Sequence, residues 1–152
     1  MRVSAKVDYA VRALAELAAA SGQGPVKGEI IAGAQGIPLK FMENILSDLR
    51  RAGVVHSQRG AVGGYWLAVP AESLSIADVI RAVEGALADV RGEPPEDVDY
   101  RGAAAALQDV WIATRATLRS VLEVVTIADV ASGDLPDVVR RLTGGPDAWA
   151  RR

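Results

Sequence analysis

The stretch Ala34-Gln35-Gly36-Ile37-Pro38 constrains this chain most, because it sets a glycine and a proline between two segments with helical apolar spacing. Gly36 can take the left-handed conformation that closes a helix in a tight turn, and Pro38 suits the first position of the next helix. The spacing predicts a short helix over about Lys27 to Ala34, with Ile30 and Ile31 inward, and a longer one over about Pro38 to Arg51. On the longer helix Leu39, Met42, Ile45, Leu46 and Leu49 share one face, which leaves Lys40, Glu43, Asn44, Ser47 and Arg51 pointing elsewhere, and Gly53 ends it. A short helix, a glycine turn and a second helix with a polar outer face form the helix-turn-helix pattern.

The flanking segments extend this pattern. Val7, Ala10, Val11, Leu14, Leu17 and Ala18 recur at helical spacing between Ser4 and Ala20, and Ser21 to Pro25 stops that helix. Downstream, Val54-Val55 and Tyr65-Trp66-Leu67 read as two short strands around the glycine-rich stretch Ser57 to Gly64, hence a β-hairpin. The fold class expected is therefore mainly α, a winged helix-turn-helix.

The hairpin glycines match a phosphate loop in composition only. A P-loop needs a Lys-Ser/Thr pair opening a helix after its glycines, and a dinucleotide fingerprint also needs a following helix; here a strand follows. Turn geometry accounts for the glycines but not for Arg59 beside Gly60. An arginine on a slim loop suits the narrow minor groove of A·T-rich DNA. Tyr65 and Trp66 are expected in the core, and His56 at the start of the wing is either near a phosphate or simply solvated.

Charge supports the same half of the chain. The net charge is −2. Residues 1–67 nevertheless carry eight Lys/Arg against five Asp/Glu, a balance of +3, and residues 68–152 nine against fourteen, a balance of −5. A nucleic-acid surface is expected on the basic half. The sequence has no cysteine and one histidine, which removes disulfides, thiolate metal sites and the usual zinc or serine-histidine chemistry. No apolar run approaches the roughly 20 residues of a membrane span, and the start lacks the apolar core of an export signal, so a cytoplasmic protein without membrane contact is expected.

In the second half, Ser75 and Asp78 form a capping box before a helix that buries Ile76, Val79, Ile80 and Val83. Residues 85–101 crowd acidic side chains around Gly92, Pro94 and Pro95 and read as a linker. A long helix, about Gly102 to Val125 and roughly 35 Å in length, then places Leu107, Trp111, Thr114, Leu118, Val121 and Val125 on an a/d seam. Such a seam is that of a coiled-coil-like pair, on a helix too long to hide entirely against a small domain. Thr126 and Asp129 open another short helix that Gly133 closes, and Leu135 to Leu142 supplies one more turn or two. The expected organisation is a DNA-binding unit over 1–84, the acidic linker over 85–101, the dimerisation helix with a short C-terminal helix over 102–142, and a flexible tail over 143–152, with no internal repeat.

Four segments together carry a family resemblance. They are Met1-Arg2-Val3-Ser4 leading into Tyr9-Ala10-Val11, Ala34 to Glu43, Leu49-Arg50-Arg51-Ala52-Gly53-Val54-Val55, and Arg59-Gly60-Ala61-Val62-Gly63-Gly64-Tyr65. The chain resembles the Rrf-two family of bacterial winged helix-turn-helix regulators (IscR/NsrR-like), closely over residues 1 to about 90. The resemblance implies a homodimer whose long helix crosses its partner's. It also implies a recognition helix in the major groove that brings Lys40, Glu43 and Asn44 to bases or phosphates, and Arg59 and Gly60 at the minor groove. Many members hold an iron–sulfur cluster on three cysteines in the segment that is here the acidic linker. Asp8 or the linker carboxylates would hold such a cluster poorly, so no cofactor is expected and the chain looks similar to the subset controlled by a small molecule or a protein partner.

The sequence thus leads to a dimeric, non-enzymatic DNA-binding regulator, taken as a repressor, on a double-stranded pseudo-palindromic operator. Arg2, Lys6, Lys40, Arg50, Arg51, Arg59 and Gly60 are the expected contacts to phosphates or grooves, with Glu43 and Asn44 discriminating bases. A winged helix that pairs with another protein, or a small enzyme working at the acidic loop, are the competing readings.

Overall fold

The computed structural model describes residues 2–150. Its order is α1 (Ala5–Ala19), α2 (Gly28–Gln35), α3 (Leu39–Arg51), β1 (Val55–Gln58), β2 (Gly64–Leu67), α4 (Ile76–Val83), α5 (Leu107–Leu122), α6 (Ile127–Ser132) and α7 (Asp137–Thr143). The mainly helical winged helix-turn-helix expected from the sequence is what the chain adopts.

Local signals set several of the helix ends. The Ser4 hydroxyl accepts the Val7 amide at 3.1 Å to open α1, and Gly36, at φ 62°, closes α2. The core gathers Leu14 of α1, Ile31 of α2, Met42, Leu46 and Leu49 of α3, Val55 of β1, Val79 of α4 and Ile127 of α6, all essentially out of water. Burial of each such side chain is worth about 1.5–3 kcal/mol. Ala10 and Ala13, also fully buried, give α1 a low surface against which α6 packs.

That packing joins segments far apart in the sequence. Ile127 lies beyond the long helix in sequence, yet it sits in the N-terminal core. The return is fixed by backbone pairing: the Ile76 amide donates to the Val125 carbonyl and the Ile127 amide to the Leu74 carbonyl, both at 2.9 Å. These bonds join two similar pentapeptides, Ser75-Ile76-Ala77-Asp78-Val79 and Thr126-Ile127-Ala128-Asp129-Val130. Each opens a helix through a capping box. The sequence was expected to hold no internal repeat; this short one is used as a two-fold-like clasp.

The long helix is shorter than expected. It covers 16 residues, hence about 24 Å, because residues 102–104 form a 3-10 turn and Val125 is extended to meet Ile76. The carbonyl of Val125 is thereby occupied, and its side chain is 6% exposed, so Val125 falls out of the expected dimer seam. Among the described residues none on α5 is buried, and Val110, Trp111 and Ile112 stand open.

The acidic linker is fastened along α5. Pro95 and Val98 are buried, and Gln108 Nε2 donates to the carbonyls of Pro95, Glu96 and Val98 at 3.3, 3.0 and 3.2 Å. Arg115 pairs with Glu96 at 2.6 Å, which holds the Glu96 carboxyl below the usual carboxylate range. In the segment expected to be a flexible tail, residues Pro146–Trp149 form a 3-10 turn and the Trp149 indole donates to the Thr143 carbonyl at 2.7 Å; residues 151–152 lie outside the described residues.

Candidate nucleic-acid interface

The turn between α2 and α3 sets the interface. Gly36 donates to the Gly33 carbonyl and Ile37 to the Ala32 carbonyl, at 3.3 and 2.9 Å, while the Ile37 side chain is buried beneath the turn. Pro38 stands one residue earlier than expected, as the N-cap of α3, where its carbonyl accepts from Phe41 and Met42. Met42, Ile45, Leu46 and Leu49 anchor α3 in the core. Leu39, expected inward, is 39% exposed, and on α2 Ile30 is 62% exposed because it stands about 100° round the helix from the buried Ile31.

The outer face of α3 is polar and unpartnered. Lys40, Glu43 and Asn44 are exposed and, among the described residues, make no side-chain hydrogen bond or ion pair. Arg2 and Arg59 are likewise exposed and without such partners. The other basic residues of the expected set have internal roles. Arg50 donates to the Ser57 hydroxyl at 3.3 Å and so ties α3 to β1, and Arg51, largely exposed, pairs with Asp48.

Lys6 departs from expectation. Its ammonium lies 2.7 Å from Asp48 and donates to the Val83 carbonyl at 2.8 Å, which fastens α1 to α3 and α4. The hydrogen bond from Lys6 is the main reason the Asp48 carboxyl sits below its ordinary value, with Arg51 adding to it. Lys6 is a structural cation, not a free one. Amphipathic spacing gives no warning of this, because the partners lie far away in sequence.

The wing pairs Val55 with Leu67, His56 with Trp66, Ser57 with Tyr65 and Gln58 with Gly64. Alternation places His56 and Trp66 on the outer face, their rings 5.7 Å apart; Trp66, expected in the core, is 36% exposed, whereas Tyr65 is half-buried against the core. A further contact was not foreseen. Val26 exchanges two backbone hydrogen bonds with Tyr65, at 2.9 and 2.8 Å, and so acts as a one-residue third strand. Lys27, which follows it, shares a cleft with Leu39, Glu43, Gln58 and Gly60. This exposed lysine is a candidate contact that the sequence patterns miss, since it has neither a helical stripe nor a glycine to mark it.

The arrangement is a helix that offers Lys40, Glu43 and Asn44 outward, with the Arg59–Gly60 tip and Lys27 along one flank. No helix among the described residues is long and apolar enough to cross a membrane.

The comparisons agree with this geometry. Residues 3–133 match the family described as Rrf2, iron-dependent transcriptional regulator. The chain is 51% identical over 142 residues to Rv1287 of Mycobacterium tuberculosis, named as a candidate HTH-type transcriptional regulator, covering 93% of this chain and 88% of that one. It is similar to the structure of CymR, the global cysteine regulator of Bacillus subtilis, with a TM-score of 0.75 and 32% identity over 88% of this chain and 98% of that one. It is also similar to the structure of T. potens IscR, with a TM-score of 0.71 and 32% identity over 88% of each chain. The iron dependence in the family's description does not fit these residues. The sequence contains no cysteine thiolate, and among the described residues no group of three His, Asp or Glu is placed to hold a metal ion. Enzymatic chemistry at the acidic loop is set aside, because the family and its relatives regulate transcription. The chain belongs to the Rrf2 family of helix-turn-helix transcriptional regulators, with the mainly α, winged helix-turn-helix fold of that family.

Proposed function

We propose that this protein is a cytoplasmic, homodimeric repressor that binds a pseudo-palindromic operator and is released by a small molecule or a protein partner. The observation that carries the DNA-binding part is the unpartnered face of Lys40, Glu43 and Asn44 beside the Arg59–Gly60 wing tip. In the major groove Asn44 would pair with adenine and Glu43 would accept from the amino group of cytosine. Arg59, on a tip slim enough to enter the minor groove, and Lys40, Lys27 and Arg2 would add sequence-independent attraction. Arg50 and Arg51 contribute at the edge of that field, and Lys6 positions α3 from behind.

Dimerisation through α5 is supported by Trp111 and Thr114 on its exposed face and by Leu107, Leu118 and Val121 at its margins. Two copies would set the half-site spacing. Because Glu96 and Gln108 tie the linker to α5, a ligand bound there would reach the dimer contact directly.

The test is binding of the purified protein to its own upstream DNA across about 50 to 200 mM salt, with Arg59→Ala alongside. The wild type should prefer that DNA to a scrambled duplex. The arginine variant should bind more weakly, with a salt slope flatter by roughly 2 for a dimer, about 0.9 per lost cationic contact. No preference over scrambled DNA refutes the proposal. An unchanged affinity in Arg59→Ala would favour a winged helix that recognises protein.

A further inference from the structure

Phe41 lies in the first turn of α3 and is 60% exposed. It forms one wall of an apolar trough, opposite Tyr9 and Ala5 of α1, with the Asn44 amide at the rim. The trough is preformed. Arg12 lies over the Tyr9 ring at 5.5 Å and is itself held by Asp8 at 3.2 Å and by the Gln35 side chain at 2.9 Å. An uncovered phenyl ring forgoes its share of apolar burial, yet the wing that covers the other flank of α3 does not reach this one.

Phe41 and Asn44 are three residues apart on one helix, so their side chains are neighbours. The occupant of the trough follows from that adjacency and rests on the function proposed above. If Asn44 reaches a base edge, Phe41 beside it faces the same duplex, and the DNA next to that base is what covers the ring. The apolar group that a major groove offers at a base edge is the 5-methyl group of thymine. We propose that Phe41, backed by Tyr9, is a specificity residue that reads a thymine methyl group within one base pair of the adenine taken by Asn44.

The full-length protein is first used to select a bound sequence from a pool of random duplexes, and each thymine of the selected site is then replaced singly by deoxyuridine. This removes the methyl group and keeps every hydrogen bond. One position in each half-site should lose about fourfold in affinity, the value of one buried methyl group. Phe41→Ala should bind the thymine duplex more weakly and lose the distinction between thymine and deoxyuridine at that position, while Phe41→Leu keeps it. Both changes are at an exposed site, and thermal melting checks that the variants fold. If the wild type prefers the selected site to a scrambled one but ignores every deoxyuridine, the inference fails and the regulator stands. The inference also fails, again without harm to the regulator, if Phe41→Ala keeps the distinction. If no sequence can be selected, the proposed function fails and this inference with it.

Discussion

Gly64 offers the sharpest test of how the wing is held. Its φ of 153° is a backbone state that side chains rarely adopt, and a Cβ added there would lie 2.5, 2.6 and 2.9 Å from the O, C and N atoms of Val26. All three atoms are backbone, so no rotamer relieves the overlap, and Val26 must retreat by roughly 1 Å to reach ordinary contact. That retreat breaks the two hydrogen bonds between Val26 and Tyr65, each worth about 1 kcal/mol, and the strained φ adds about 1 kcal/mol more. Gly64→Ala should therefore destabilise the protein by about 3 kcal/mol, a fall in Tm of roughly 6–12 °C for a chain of this size. Gly60→Ala is the control. Gly60 has φ 109° but nothing within 4 Å of an added Cβ, so only conformational strain applies and the expected fall is about 3 °C. Both are read by thermal unfolding at matched protein concentration, because association raises Tm. A Gly64→Ala melt no lower than that of Gly60→Ala would refute the role given to Val26 as a third strand.

Two further outcomes follow from the same structure. Lys6→Met should cost about 1–2 kcal/mol at neutral pH, and it should leave the salt dependence of DNA binding unchanged because the Lys6 ammonium is already engaged by Asp48 and Val83. The Asp48 carboxyl is depressed below its ordinary value of 3.8 in the folded chain. Its contribution is therefore present above that pH and lost as pH falls through the folded value, so the gap between the two melts should narrow below about pH 4; a gap constant down to pH 3 would refute the assignment. Trp111→Glu on the open face of α5 should convert the protein from dimer to monomer in sedimentation, and an unshifted mass would remove α5 from the interface.

The parts of this molecule that were legible in its sequence are those that a few adjacent residues decide. Gly36 marks the turn because only a residue without Cβ takes its conformation cheaply, and the boxes at Ser75 and Thr126 are written within four residues each. Contacts between distant segments left no such mark. Lys6 looks like any exposed lysine until Asp48 and Val83 arrive beside it, and Val26 looks like loop until Tyr65 pairs with it. The a/d spacing ran on to Val125 because a heptad pattern records apolar residues, not which neighbour they meet; Val125 meets Ile76. That meeting also brings the chain after α5 back to the N-terminal core. The linker and α5 form an excursion that leaves the core after α4 and returns at the second capping box, with the segments before α4 and after α5 joined by one pair of backbone hydrogen bonds. The helix leaving the clasp, α4, ends at Val83, whose carbonyl takes the same ammonium that holds Asp48 of α3. One lysine thus joins the base of the excursion to the back of α3, a link that none of its neighbours in sequence announces.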